Sequence, residues 1–397
     1  MEGKTMFVEI QKQVGAAHFV LPVEAVKDSK SLPVVVHPDK VAVQSGKGES
    51  VYRFPDGFRV RPKSCSGLKW LEGDGLHLRL SVVEEEAEEQ KEKEEDGRGE
   101  ENGPDIKPGH TRMCCAMCGH QLLKPSFCAK RVLPLPSDGW QEAVAHSFCH
   151  KSQDTQNMAA QTLAPRPADI LTGTGHVLVH AKAIHSDNVD VVDSEDKMVL
   201  VPLVRCKRCR SQVGIGVTTG KKKTPAQATP EPPCAIKLYL SNITVHEEGS
   251  TCSPVTPGHA SPGQDSVLAQ QLLKESESQY CLRFVVQDLR ADVYLLMWLL
   301  KSETRLMTIS TQGSVSSRDI LKILYLPLPR DGVNKLLLES WKKDENVGLL
   351  SYPRDTCLHL VSHLVSHTQS LPVSLRSMNN FMVGFLTLKN NPESKTT

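Results

Sequence analysis

The sequence predicts an α+β chain whose front part is β-rich, with a cysteine-knuckle region inserted behind it and a mixed α/β part at the end. Three observations predict this. Residues 1–83 alternate apolar with polar positions in short runs, as strands half-buried in a sheet do. Two Cys-x-x-Cys pairs lie within residues 111–217, and residues 235–397 combine long apolar runs with a helical stripe. A chain of 397 residues can bury a sizeable core, shared among two or three units.

In the front part the alternation predicts strands over 7–10, 32–37, 58–61 and 76–83, separated by Pro22, Pro33, Pro38, Pro55, Pro62 and a Gly73-Asp74-Gly75 hairpin or bulge signal. An acidic, polar linker follows over 84–110. In the second unit, 111–217, residues 176–180 and 198–205 read as strands and 151–167 as a loop. The polar, proline-rich stretch 218–234 is a second linker. Beyond it, 236–245 predicts a strand, 247–263 a loop, and 266–273 a helix with Val267, Leu268, Leu272 and Leu273 on its apolar face. Residues 282–287 predict a buried strand, and 293–300 a strand or a short helix. The runs 320–326, 333–341 and 357–365 follow, and 381–388 closes the chain as a strand.

Charge and composition narrow the function classes. The formal net charge is +1, yet residues 84–101 hold eleven acidic and three basic residues. Removing them from the chain's 47 basic and 46 acidic residues leaves 44 against 35, with a dense basic cluster only at Lys221, Lys222 and Lys223. That pattern argues against direct nucleic-acid binding, and the acidic run reads as solvated chain. A mean hydropathy of -0.29 with no long apolar block argues against a membrane span, and residues 1–15 lack a secretory signal. The expected location is therefore intracellular, the cytoplasm first, with the nuclear share left open. There, twelve cysteines point to metal ligands, reactive thiols or core residues more than to disulfides.

Spacing singles out Cys115, Cys118, Cys206 and Cys209. Two residues between cysteines let a tight turn aim both sulfurs at one ion, and two such turns complete the tetrahedral thiolate shell that structural zinc favours. Gly119 suits the first turn, and Lys124, Lys207, Arg208 and Arg210 can offset thiolate charge. The competing reading is two unrelated pairs of core or redox cysteines. The 87 residues between Cys118 and Cys206 make the site a closure of distant chain, so zinc would belong to folding.

Two further cysteines stand in suggestive settings. Cys149 lies in His146-Ser-Phe-Cys-His150, downstream of the Arg131-Val-Leu-Pro-Leu-Pro136 segment and Trp140. Exposed, it can serve as a ligand to a partner's metal; buried, it is a small core residue. Cys357 follows Asp355, which reads as a helix N-cap, placing the thiol near backbone amides that favour a thiolate nucleophile. Against that, Cys357, Leu360, Val361, Leu364 and Val365 share one helical stripe, which argues for burial. His359, His363 and His367 repeat every fourth residue, as zinc ligands or as solvated histidines.

The segments Val60-Arg-Pro-Lys-Ser-Cys-Ser-Gly-Leu-Lys-Trp70, Gly73-Asp-Gly-Leu-His-Leu-Arg-Leu80, Arg131-Val-Leu-Pro-Leu-Pro-Ser137 and Leu371-Pro-Val-Ser-Leu-Arg376, with the two Cys pairs, resemble the HECT-like ubiquitin-protein ligase family named for binding E2 conjugating enzymes. The resemblance implies a HECT-like C-terminal part and a protein that accepts ubiquitin from an E2 and promotes its transfer to lysines of cyclin-type or other substrates and of itself. It implies that Val267, Leu268, Leu272 and Leu273 belong to the E2-binding region, and that Cys357 is the thioester cysteine. No segment resembles the large E2-binding lobe of a true HECT domain, and the Leu-Pro pair expected soon after the cysteine comes only at Leu371-Pro372. The resemblance also implies a partner, the zinc endonuclease that cleaves pre-messenger RNA at its 3' end. Leu133, Pro134, Leu135, Pro136, Trp140, Cys149 and His150 would bind it, with Cys149 reaching the nuclease zinc.

Overall fold

A computed structural model describes residues 5–22, 34–45, 48–84, 106–135, 164–173, 175–192, 201–218, 232–246, 262–300, 303–328 and 334–395. The strands run β1 (Thr5–Gln11), β2 (Ala16–Pro22), β3 (Val34–Val36), β4 (Lys40–Ser45), β5 (Gly48–Arg53), β6 (Phe58–Leu71) and β7 (Gly75–Glu84). Next come β8 (Arg112–Cys115), β9 (Arg131–Pro134), β10 (Asp169–Thr172), β11 (His176–His180), β12 (Val189–Val192), β13 (Leu203–Cys206), β14 (Gln212–Val217), β15 (Ala235–Tyr239) and β16 (Ile243–His246). After helix α1 (Pro262–Ser278) come β17 (Arg283–Asp288), β18 (Val293–Leu299), β19 (Thr304–Ser310), β20 (Ser314–Pro327), helix α2 (Lys335–Lys343), β21 (Val347–Tyr352), helix α3 (Arg354–Ser370), β22 (Ser377–Met378) and β23 (Phe381–Lys395). The fold is mixed α/β and mostly β, as expected, and residues 293–299 are a strand. Among the described residues, no helix is long and apolar enough to cross a membrane.

Two compact units divide the chain, and the division is not linear in sequence. Unit 1 combines Met1–Glu100, Met297–Leu326 and Ser362–Thr397; unit 2 combines Glu101–Leu296 and Pro327–Val361. The contiguous part at 235–397 that the sequence suggests is therefore not one body. Its strands complete the core of the front part: β1 pairs β19 antiparallel with Val8 opposite Met307, and Met307, Ile309 and Val315 join Met6, Val8, Phe19, Tyr52 and Leu78 in one buried cluster. Seven front strands alone would leave that apolar face in water.

In unit 1 the strand order β20-β19-β1-β2-β7-β6 is antiparallel throughout, and β23 lies along β20. The smaller sheet β3-β4-β5 contributes Val41, Val43 and Tyr52 to the same cluster. Gly73, with φ 87°, makes the turn between β6 and β7 that the sequence marks. Asp74 of that turn accepts the Val373 and Ser374 backbone N–H groups at 2.6 and 2.9 Å, so the two sequence segments 73–80 and 371–376 meet. Burial raises the Asp74 carboxyl, but these bonds with the Ser374 hydroxyl and nearby His77 hold it below its ordinary value.

In unit 2 a sheet of order β12-β13-β14-β15-β11-β10-β9 is antiparallel except for β9 on β10, and β16 pairs β8. One core cluster joins Met113, Leu122, Ile170, Val179, Val204, Ile236 and Leu238, with Val267 of α1 packed on it. Gly214 of β14 is required by close approach, since a Cβ there would sit 2.2 Å from the Lys237 carbonyl oxygen of β15. Strands β17 and β21 run parallel, with Phe284 and Leu350 buried.

A buried polar chain crosses unit 1. His77 Nε2 lies 3.4 Å from Asp74, its Nδ1 lies 3.1 Å from His18 Nε2, and Glu9, opposite His18, holds Lys322 at 2.7 Å. Burial first, and then His77, push His18 down from 6.5 to about 4, with Arg79 and Lys322 acting the same way against Glu9. Burial lowers His77 too, against the attraction of Asp74. Both imidazoles stay neutral where those of the unfolded chain already bind protons. Stability is therefore full above the unfolded histidine value of 6.5 and falls as pH drops toward about 4. Urea midpoints measured across this window should decline for the wild type and decline less for His18→Gln.

Candidate functional site

The two Cys-x-x-Cys turns are built alike. Cys115 ends β8 and Cys206 ends β13, and each is followed by a turn closed by a backbone bond back to the first cysteine: Gly119 N–H to the Cys115 carbonyl and Arg210 N–H to the Cys206 carbonyl, both 2.8 Å. In each, the first cysteine's own N–H donates onward, Cys115 to His120 at 2.8 Å and Cys206 to Ser211 at 2.9 Å. The turn needs a left-handed residue at its end. Gly119 (φ 69°) supplies it without strain, whereas Arg210 (φ 63°) adopts it at a cost of about 1–2 kcal/mol.

The turns face each other. Cys115 Sγ lies 3.5 Å from Cys209 Sγ, Cys118 Sγ lies 3.6 Å from Cys206 Sγ, and the four sulfurs all lie within 4.8 Å of one another. A tetrahedral ion with Zn–S bonds of about 2.3 Å needs sulfurs about 3.8 Å apart, so the set fits zinc. Backbone N–H groups of Met117, His120 and Arg208 reach the sulfurs of Cys115, Cys118 and Cys206, stabilising negative charge there. With protons in place of a cation, a bond from Cys115 lowers Cys206, and the same bond, then burial, raises Cys115. Burial raises Cys118 to about 11. Two of the four basic residues expected to offset the thiolate charge are engaged beside the site, Arg210 and Lys207 pairing with Asp190 at 2.6 and 3.6 Å. Among the described residues these cysteines are the only cluster of three or more such groups, so the His359, His363, His367 line forms none. His367 instead stacks on Phe385 at 4.3 Å.

Distant chain is held together here by the turn after β15. The Asn242 carbonyl accepts Ala116 N–H at 3.0 Å, and its Nδ2 donates to the Gln212 carbonyl at 2.7 Å, so one residue touches both knuckles. Its Oδ1 accepts the Thr356 hydroxyl at 2.7 Å and the Ser241 hydroxyl at 2.8 Å. Nothing in the sequence marked Asn242; an Asn between two strands reads as an ordinary turn residue.

Cys357 sits in the first turn of α3, fully buried. Asp355 is not the cap the sequence suggests, because α3 begins at Arg354. Its carboxylate accepts Ser211 Oγ–H at 3.2 Å and Gln212 N–H at 3.3 Å, both next to the second knuckle. Nor is the Cys357 amide free, for it donates to the Pro353 carbonyl at 3.1 Å. The thiol itself donates to the Gln287 carbonyl at 3.4 Å. Burial, helped by buried Asp288, pushes the thiol up to about 12. Leu360 and Leu364 are buried on the expected stripe.

The apolar face of α1 is spent internally: Leu268 and Leu272 are buried and Val267 packs on the unit 2 core, while Leu273 is half-buried. The residues that the resemblance assigns to the E2-binding region thus pack wholly or partly within unit 2. Leu133 and Pro134 lie exposed on the sheet-end strand β9, and Leu135 follows half-buried. Pro136, Trp140, Cys149 and His150 lie outside the described residues.

The family model described as HECT-like ubiquitin-conjugating enzyme (E2)-binding matches residues 5–383. This chain belongs to that family. It is 30% identical over 408 residues to a Mus musculus protein named as an E3 ubiquitin-protein ligase, covering 96% of this chain and 97% of the mouse protein. The Rattus norvegicus protein of the same name is 29% identical, with 95% and 96% covered, and the Homo sapiens protein 27%, with 96% and 97% covered. No solved structure matches the chain.

Because a cation that binds the folded cluster stabilises it by mass action, adding zinc to chelator-stripped protein should raise the unfolding midpoint. Cys206→Ser should abolish that rise, as followed by thermal melts at fixed protein concentration.

Proposed function

We propose that this chain is an E3 ubiquitin-protein ligase that binds a ubiquitin-charged E2 and promotes transfer straight to a lysine of the substrate, itself included, with one structural zinc ion on Cys115, Cys118, Cys206 and Cys209. Membership of the E2-binding family and the names of its relatives support the ligase reading. The observation that carries the direct route is the state of Cys357. A thioester relay needs an accessible thiolate. Here the thiol is 0% exposed, bonded to the Gln287 carbonyl and held toward its neutral form by burial, so it offers a partner neither access nor a thiolate.

In the direct route the lysine amine attacks the carbonyl carbon of the E2 thioester. An isopeptide bond forms, the carbon–sulfur bond breaks, and the departing E2 sulfur takes up the proton the amine gives up. The ligase then contributes position, holding the E2 and the acceptor lysine together, which is worth several orders of magnitude in rate. Zinc contributes by fixing the unit that carries the α3 start, and supplies no chemistry to the transfer.

Incubation with charged E2 should discharge ubiquitin to lysine without any reductant-sensitive adduct on this chain. Cys357→Ala, which removes one buried sulfur at a cost of about 1–2 kcal/mol, should keep that discharge in a folded protein. An adduct that disappears in Cys357→Ala overturns the direct route, and no discharge by the wild type overturns the ligase reading.

A further inference from the structure

Asn242 is 4% exposed and joins three segments of unit 2 that are far apart in sequence. Its amide has one possible orientation. The Gln212 carbonyl can only accept, so Nδ2 must face it, leaving Oδ1 for the Thr356 and Ser241 hydroxyls. Gln212 follows the second knuckle directly, and its neighbour Ser211 accepts the Cys206 N–H at 2.9 Å. Ala116, which donates to the Asn242 carbonyl, lies inside the first knuckle. Thus the first knuckle is bonded to the main chain of Asn242 and the end of the second to its side chain, and that side chain also holds Thr356, the residue before Cys357.

The start of α3 depends on this connection. A helix's first turn is its least supported part, because its amides lack partners within the helix. Asp355 and Thr356 are the polar residues of that turn suited to serve it, and both are committed elsewhere, Asp355 to Ser211 and Gln212 and Thr356 to Asn242. Thr356 is 1% exposed and Cys357 0%, so both residues of this turn face the interior, where the thiol meets the Gln287 carbonyl.

We propose that Asn242 is a positioning residue that makes the burial of Cys357 conditional on a filled metal centre. With zinc drawing the knuckles together, Ala116 and Gln212 fix Asn242, Asn242 fixes Thr356, and Cys357 stays sealed. With the centre stripped, the knuckles separate, Asn242 loses its two anchors, and the first turn of α3 opens and exposes the thiol. This rests on the zinc reading above and adds to it a regulated cysteine.

The test is pulse labelling of the full chain with N-ethylmaleimide, zinc-loaded or chelator-stripped, each cysteine quantified by peptide mass spectrometry and zinc content measured on the same samples. Cys281, buried in the same unit and outside the network, is the internal reference. Stripping should speed Cys357 labelling by about tenfold or more while Cys281 stays protected. Thr356→Val keeps the shape but removes the hydroxyl, and should label Cys357 at the stripped rate with zinc still bound. Val43→Ala, a core change in unit 1 and outside the network, should leave Cys357 sealed. The inference is overturned if stripped wild type protects Cys357 as well as loaded protein, if Cys281 opens in step with it, or if Thr356→Val stays sealed. Absence of bound zinc in the purified or zinc-treated chain sinks the zinc reading and this one together, and metal content separates that result from the others.

Discussion

Four sulfur atoms within 4.8 Å of one another, supplied by two turns 87 residues apart, are the constraint around which unit 2 is arranged. Thiols crowded this closely, two of them buried, cannot all ionise, so protons or a cation must balance them. Everything near the cluster keeps the two turns in register. Strand β16 pairs β8 so that Ile243 faces Cys115, β14 carries the second knuckle into the main sheet, and Asn242 bonds to both. The long sequence separation is what gives the cluster its leverage, because closing a long loop costs the unfolded chain more entropy than closing a short one.

Unit 1 solves a different problem. Its core is shared by strands from both ends of the chain, and polar groups inside it must be satisfied locally. Glu9 is answered by Lys322, and Asp74 by the backbone of Val373 and Ser374. The Asp74 bonds are worth more than ordinary ones because the acceptor is charged and buried. They fasten a turn near the chain's end to a hairpin near its beginning, so folding of this unit waits on distant chain.

Reactivity and burial compete at Cys357, and burial wins. A cysteine early in a helix gains from amides only when those amides are free, and its own N–H is already bonded to Pro353. The low-dielectric surroundings and buried Asp288 then favour the neutral thiol. The same sulfur would be an ordinary nucleophile if the first turn opened, so its chemistry is a matter of local stability, not residue type.

Much was legible in the sequence itself. Period-two alternation marked the strands at 7–10 and 76–83, Gly73 marked the hairpin, the four cysteines announced their own partnership by spacing, and the stripe of Cys357, Leu360 and Leu364 foretold a buried face. These features are local, or carry a spacing that only one kind of chemistry uses. The tertiary structure alone decided that residues 297–326 and 362–397 complete the core of the front part, that the α1 face belongs to its own unit, and that Asp355 serves β14 instead of capping its helix. It also decided the part played by Asn242. A hydrogen bond between residues 114 positions apart leaves no periodicity behind, since either residue could satisfy its polar group in water or in a turn, and only the folded chain removes that choice.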